Sequence, residues 1–252
     1  MTEAVKGSIA IGWCHGVDVG AGFANSLASL LAYELSRPAV RLRQFIPQYS
    51  GVNVSNGRNQ VVRAFLAGDC EWLWMLDTDM TFPRNVLDPL MDAADPDRYP
   101  VLGALAFGVN EDVLFPTLYG IASNPDTGKP ETIRFDSYPR NALFPVVMTG
   151  AACLLVHREA LVKVSQLGES AAFPWFQERE LNGQPCGEDM TFCIRLARAG
   201  VPVHVHTGVT VGHQKTYLLT EKLYTAQREA IGMHAAIDPP DEDDQAEEGD
   251  AA

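Results

Sequence analysis

The sequence has 252 residues, of which 46% are hydrophobic and 20% are charged. This composition is typical of a globular protein that buries a substantial core. The formal net charge is −13, and eight of the acidic residues lie in the last fifteen positions, where there is no base. Because Lys and Arg form no cluster, the charge pattern argues against a nucleic-acid partner.

The cysteines are odd in number, widely spaced and free of any CxxC pair. This pattern predicts inert core thiols in a reducing compartment and no zinc site. The apolar run near the N-terminus is too short for a signal peptide, and no segment approaches about 18 consecutive apolar residues. We therefore expect a cytoplasmic protein without a membrane span.

Short apolar runs alternate with helical patterns in the first part of the chain, which predicts an α/β fold with a mostly parallel sheet. The run 72–76, "WLWML", has no polar residue, so we expect a central strand covered on both faces. The predicted strands and helices are, in order, strand 8–13, helix Phe23 to Ser36, strand 40–45, helix Asn59 to Leu66, strand 72–76, helix Pro83 to about Ala94 and strand 101–107.

The alternation of strand and helix patterns stops after residue 108, where Pro, Gly and Asn become frequent. We therefore divide one domain into a first half, 1–108, and a second half, 109–237. The acidic segment 238–252 has too few apolar residues to fold, which predicts a disordered tail. The second half is predicted to contain short strands at 116–121, 132–135 and 144–150, strand 151–157, helix 158–167, helix 188–200, strands 201–206 and 209–211, and a closing helix 217–236.

Two aspartates, Asp77 and Asp79, follow the buried run directly. If the strand continues through them, their side chains share a face and repel each other by roughly 1–4 kcal/mol. A divalent cation would turn that repulsion into attraction, and oxygen ligands suit Mg²⁺ or Mn²⁺. The carboxyl ends of parallel strands are also where α/β proteins bind ligands. The alternative is a turn in which Asp only accepts hydrogen bonds from loop amides.

Three later features hold further candidate side chains. Glu188 and Asp189 open a predicted helix, where acids either serve chemistry or only stabilise the first turn through the helix dipole. His213 follows a strand and Gly212, either as a surface histidine or as a ligand. His204 and His206 share a strand face, and we expect them to face solvent.

The order of these features resembles the GT-A glycosyltransferases, particularly the family-2-like enzymes. The resemblance spans about residues 7–215. It rests on "RN" at 58–59, "LDTDM" at 76–80, "TGAACLLVHREAL" at 149–161, "GEDMTFCIRLARAG" at 187–200 and "GH" at 212–213.

This resemblance implies a Rossmann-like GT-A domain with a central, mostly parallel sheet and a smaller acceptor-side subregion. The first half would bind a nucleotide-sugar, with UDP-sugars as the first candidates, and the second half an acceptor hydroxyl on a glycan or protein. A Mn²⁺ or Mg²⁺ ion would be held by Asp77, Asp79 and His213, with Asp77 also close to the ribose. Arg58 would lie near the base or the diphosphate.

The same resemblance implies the catalytic group. Asp189, beside Glu188, would be the base of an inverting transfer. Gly150 lies in the turn expected against the donor sugar, and Trp175 either stacks on a sugar ring or packs in the core. The usual nucleobase signature after the first strand is absent, and neither the donor sugar nor the oligomeric state follows from the sequence.

Three other functions stay open at this point. "WLWMLDTDMT" matches the first motif of haloacid dehalogenase-type phosphatases, with Asp77 as nucleophile and Asp79 as acid/base. That motif normally ends the first strand, however, and the later acidic motif is missing. A sugar nucleotidyltransferase would need a Gly-rich loop with basic residues, which "CHGVDVGAG" lacks. A non-catalytic binding domain that kept the scaffold is the third alternative.

Overall fold

A computed structural model describes residues 4–110, 113–125, 128, 130–181, 183–216 and 220–230. Within these residues the helices are α1 (Ala21–Leu35), α2 (Val54–Ala67), α3 (Leu87–Ala93), α4 (Arg158–Ser165), α5 (Glu188–Arg198) and α6 (Glu221–Ala230). The strands are β1 (Val5–His15), β2 (Leu42–Tyr49), β3 (Cys70–Asp77), β4 (Met80–Thr81), β5 (Val101–Leu105), β6 (Phe107–Asn110), β7 (Val113–Pro116), β8 (Leu118–Ser123), β9 (Pro130–Arg134), β10 (Leu143–Val146), β11 (Met148–Thr149), β12 (Cys153–His157), β13 (Arg179–Leu181), β14 (Gln184–Cys186), β15 (Val203–Thr210) and β16 (Gly212–His213).

Seven strands form the central sheet in the order β10-β15-β5-β12-β3-β1-β2. Strands β1, β2, β3, β5 and β15 share one direction, whereas β12 and β10 run antiparallel to their neighbours. The prediction of an α/β fold with a mostly parallel sheet is confirmed.

Strand β3 lies in the middle of this sheet, and its alternating side chains enter two separate core layers. Leu73 and Met75 pack in the layer that contains residues of α2, α4 and α5. Trp74 and Leu76 pack in the layer that contains residues of α1 and α3. Each such burial stabilises the fold by roughly 1.5–3 kcal/mol, and the expected cover on both faces of β3 is confirmed.

The starts of α2 and α3 differ from the prediction for identifiable reasons. Helix α2 begins at Val54 because the Asn53 side chain accepts a hydrogen bond from the Asn56 backbone at 2.8 Å, which makes Asn53 its N-cap. Helix α3 begins only at Leu87, since Pro83 accepts from the Val86 N–H at 3.0 Å in a turn that precedes the helix.

His204 and His206 are less exposed to solvent than expected. Both are half-buried, because β15 lies inside the sheet between β10 and β5. The His204 ring packs edge-on against Tyr99, with 4.9 Å between ring centroids. Burial lowers the pKa of both imidazoles. The five cysteines are free thiols, four of them buried, as predicted.

The irregular middle of the chain forms small sheets. Strands β11, β8 and β9 make a three-stranded sheet, β6 pairs with β7, and β4 pairs with β16. Residues Met1–Gln214 make one compact unit, while α6 belongs to a second and has no buried residue among those described. The rest of the predicted closing helix and the acidic tail 238–252 lie outside the described residues. Among the helices that the structure describes, none is long and apolar enough to cross a membrane.

Candidate active site

The two aspartates after the central strand have different partners. Strand β3 ends at Asp77, and a turn follows before β4, so the strand alternation does not extend to Asp79. Asp77 Oδ1 accepts a hydrogen bond from Arg58 at 2.7 Å. Asp79 Oδ2 lies 3.0 Å from Nε2 of His213. The expectation that the two carboxylates share one strand face is therefore corrected.

A pair of short strands brings His213 to Asp79. Strand β16 runs antiparallel to β4, with His213 opposite Met80. The Gln214 N–H also donates to the Asp79 carbonyl at 2.7 Å. Residues that are 134 positions apart in sequence are thus held together by backbone pairing.

The hydrogen bond at Nδ1 of His213 determines whether Nε2 carries a hydrogen or a lone pair. Nδ1 lies 3.0 Å from the carbonyl oxygen of Phe107, and because a carbonyl only accepts, Nδ1 carries the hydrogen. In the neutral ring, Nε2 then turns a lone pair toward the Asp79 carboxylate. Two acceptors at 3.0 Å require a cation between them, either a proton or a metal ion. The same distance is about the ligand-to-ligand edge of an octahedron with bonds of about 2.1 Å, the geometry that Mg²⁺ demands.

Asp77 does not complete a three-residue ligand set. In the described part of the chain, no group of three or more His, Cys, Asp or Glu side chains is placed to hold a metal ion. Hard divalent cations are nevertheless often held by one or two protein ligands together with substrate phosphates and water. The chemistry of the Asp79–His213 pair fits an ion of that kind.

Arg58 is a buried cation that joins two carboxylates. It donates from one nitrogen to Asp77 and from the other to Glu188, at 2.7 and 2.6 Å. Burial acts to lower the pKa of Arg58, but the charges of Asp77, Glu188 and Asp189 outweigh burial and raise it. The guanidinium therefore stays charged and connects the end of β3 to the start of α5.

Asp189 lies in the first turn of α5, beside Glu188. Its Oδ1 accepts a hydrogen bond from the Met190 N–H at 2.7 Å. Burial raises the pKa of this carboxyl; the Arg58 charge opposes the shift and the Glu188 charge adds to it. Gly150 faces the same group, since a Cβ built there would lie 3.7 Å from Asp189 Oδ2. A carboxyl with a raised pKa is suited to accept a proton near neutral pH.

A cavity of about 340 Å³ opens beside these groups. The β2–α2 loop contributes one wall of the cavity, which the sequence analysis did not predict. The position of this loop after a parallel strand was a usable signal, because α/β proteins bind ligands at the carboxyl ends of such strands. Burial raises the pKa of the Cys14 thiol to about 11, so it is neutral. The cavity is lined by Cys14, His15, Gly16, Ser50, Gly51, Val54, Arg58, Asp77, Thr78, Asp79 and Glu188.

Trp175 lies in the core rather than against this cavity. It is 4% exposed, and its indole N–H donates to the Leu161 carbonyl at 2.8 Å. The reason is Asn59, whose carboxamide accepts from the Trp175 N–H and donates to the Phe176 carbonyl, fixing this segment on α2. Of the two environments predicted for Trp175, a sugar-stacking position and the core, the structure shows the core. The sequence offered no signal for the role of Asn59.

Comparison with known proteins gives the class of fold. No protein-family model and no curated protein matches the sequence. Among solved structures, A197 from STIV aligns with a TM-score of 0.54 and 13% identity over 83% of this chain and 86% of that chain. GalNAc-T7, solved with UDP, GalNAc and Mn²⁺, aligns with a TM-score of 0.53 and 12% identity over 88% of this chain.

The chain spans about half the length of GalNAc-T7, since the alignment covers 47% of that protein. At such identities the likeness shows the fold alone. Together with the sheet topology, it shows an α/β fold of the GT-A type, as expected from the sequence.

Proposed function

We propose that this chain is a metal-dependent glycosyltransferase. It moves a sugar from a nucleotide-sugar, with UDP-sugars as the first candidates, to a hydroxyl group of a glycan or protein. The observation that carries the proposal is the contact between Asp79 and His213 beside the cavity, on a GT-A fold. The Mn²⁺ and UDP in the GalNAc-T7 structure support the choice of ligands to test first.

Asp79 and His213 are the residues that would hold Mn²⁺ or Mg²⁺. When bound, such an ion would stabilise the negative charge that forms on the departing diphosphate. The hydrogen bond from His213 Nδ1 to the Phe107 carbonyl fixes the ring so that Nε2 is the ligand atom.

Asp77 lines the cavity and is 34% exposed, although one of its oxygens is bound to Arg58. We assign it to the ribose hydroxyls, one of the two roles that the family resemblance implies, because it does not complete a ligand set with Asp79 and His213. Arg58 is only 6% exposed and is engaged by two carboxylates, so its role is to position Asp77 and Glu188. Arg58 also lines the cavity, so the expectation that it lies near the base or the diphosphate stays a prediction.

Asp189 is the proposed base, with Glu188 held beside it by Arg58. The Asp189 carboxylate accepts the proton of the acceptor hydroxyl while the hydroxyl oxygen attacks the anomeric carbon and the diphosphate leaves. This displacement inverts the configuration at the anomeric carbon. Gly150 presents no side chain to Asp189, which leaves space for the reacting groups.

The first test is release of UDP from a panel of UDP-sugars by the purified chain in the presence of Mn²⁺. We expect release that stops with EDTA and resumes when Mn²⁺ is restored in excess. Hydrolysis of 4-nitrophenyl phosphate without any UDP release would overturn the proposal in favour of a phosphatase. That outcome is disfavoured because Asp77 ends β3, the third strand along the chain, whereas the phosphatase motif normally ends the first strand.

A further inference from the structure

An exposed arginine lies on the small sheet next to the candidate site. Arg134, at the end of β9, places its guanidinium carbon 3.8 Å from the centroid of the Phe115 ring. This is the closest guanidinium–ring contact in the described part of the chain. Among the described residues, no carboxylate forms an ion pair with Arg134. An arginine stacked on an aromatic ring is held in place while its donors stay available.

Tyr119 connects Arg134 to the proposed base. Tyr119 and Arg134 are directly opposite each other on β8 and β9, so their side chains lie together on one face. Burial raises the pKa of the Tyr119 phenol, the charge of Arg134 lowers it, and the charge of Asp189 raises it. Tyr119 is also opposite Met148 on β11, and Gly150, which follows β11, faces Asp189 Oδ2.

Phe115 connects Arg134 to the proposed metal ligands. Phe115 lies opposite Gly108 in the β6–β7 pair, and a Cβ at Gly108 would be only 2.7 Å from the ring. Gly108 follows Phe107, whose carbonyl accepts from His213. Arg134 is thus linked to the metal side of the site through Phe115 and to the base side through Tyr119.

The candidate site has more negative than positive side chains, so a further cation such as Arg134 would help an acidic substrate to bind. Asp77, Asp79, Glu188 and Asp189 lie close together, and Arg58 is already bound by two of them. An acidic substrate that approaches Asp189 would be repelled by these carboxylates unless a further cation offsets them. None of Phe115, Tyr119 and Arg134 lines the cavity assigned to the nucleotide diphosphate.

We infer that Arg134, held on Phe115 beside Tyr119, binds an acidic group of the acceptor, a carboxylate or a phosphate. This inference rests on the proposed function, because Asp189 marks the acceptor side only if it is the base. An Arg–carboxylate contact of this kind increases affinity on the order of tenfold or more.

The test uses two probes that differ by one carboxylate, 4-nitrophenyl β-glucuronide and 4-nitrophenyl β-glucoside. Their binding to the full chain is measured by calorimetry in the presence of UDP and Mn²⁺. We expect the glucuronide to bind about tenfold more tightly than the glucoside, and Arg134→Gln to abolish that preference. Arg134→Lys should keep part of it, because the charge remains while the planar fork is lost.

Arg43→Gln is the matched control, since Arg43 is an exposed arginine near the start of the edge strand β2, whereas the cavity lies beyond the other end of that strand. It should leave the preference for the glucuronide unchanged.

Equal or undetectable binding of the two probes by the wild type overturns the inference, as does a preference that survives Arg134→Gln. Weaker binding of UDP with Mn²⁺ by Arg134→Gln would assign the cation to the donor and also overturn it. A wild type that does not bind UDP with Mn²⁺ would count against the glycosyltransferase, whereas the probe comparison still reports on the acidic group.

Discussion

Two groups of side chains at the end of β3 differ in how their negative charge is balanced. Asp79 is 42% exposed and contacts His213, whose own side chain is 20% exposed. Asp77 and Glu188 instead share Arg58, which is 6% exposed. The first group is open to solvent and suited to receive a cation, while the second has a cation built into the fold.

The comparison shows that neighbouring acids can serve separate purposes. Asp77 and Asp79 are two residues apart, yet Asp77 joins β3 to α5 and Asp79 joins the following turn to β16. We expect changes in the Arg58 group to affect stability first. Changes in the Asp79 group should affect binding of metal and nucleotide with little loss of stability.

The largest effect is expected from Arg58→Met. Removing the buried cation leaves Asp77 and Glu188 without their shared partner, which should lower the free energy of unfolding by about 3–5 kcal/mol. Urea denaturation measures this change. Arg43→Met, at an exposed position, is the control and should change the free energy by less than about 0.5 kcal/mol. A loss of similar size in both variants would mean that the buried ion pairs have no special role.

Asp189→Asn should come next, with a transfer rate lower by about 10²–10⁴-fold because the proposed base is lost. Binding of UDP with Mn²⁺ should stay within about twofold of the wild type, since Asp189 is not in the lining of the cavity. Single-turnover transfer and calorimetry measure the two quantities. Asp92→Asn, an exposed position on α3, is the control. Retained transfer would place the base elsewhere.

The raised pKa of Asp189 gives a pH-dependent effect on stability. Because folding favours the neutral carboxyl, its stabilising contribution is fully present below the ordinary Asp pKa and is lost as pH rises through the raised value. Compared with Asp189→Asn, the wild type should therefore lose relative stability as pH rises above the ordinary Asp pKa of about 4. Urea denaturation of both proteins without metal measures the difference. A difference that is flat with pH would show that the pKa of Asp189 is ordinary.

Trp175→Phe should have the smallest effect, because the structure places this residue in the core. Loss of the indole hydrogen bond to Leu161 should lower the free energy of unfolding by about 1 kcal/mol. Neither kcat nor KM for transfer should change beyond about twofold. A large rise in KM for the donor would instead restore Trp175 to the sugar site.

Much of the scaffold could be predicted from the sequence because its signals are local. An uninterrupted apolar run such as 72–76 has few alternatives to a central strand, and alternation of side chains then places its residues in two layers. The partner of Asp77 could not be predicted in this way. Arg58 reaches Asp77 and Glu188 across 19 and 130 positions in sequence, a convergence that only the packed fold determines.

The proposed acceptor side was the least predictable part. Strands β8 and β9 are short, and what places Arg134 beside Tyr119 is their register, which no local pattern specifies. Trp175 was assigned to two possible environments because an aromatic residue suits both. The four hydrogen bonds of the Asn59 carboxamide to backbone groups decide between them.

The most direct measurement is Mn²⁺ binding in the presence of UDP, followed by the electron paramagnetic resonance signal of free Mn²⁺. The wild type should bind the ion, and Asp79→Ala and His213→Ala should each weaken binding on the order of a hundredfold or more, with thermal stability preserved. His206→Ala, at a half-buried histidine of β15, should bind Mn²⁺ like the wild type. Unchanged Mn²⁺ affinity in both Asp79→Ala and His213→Ala would contradict the account.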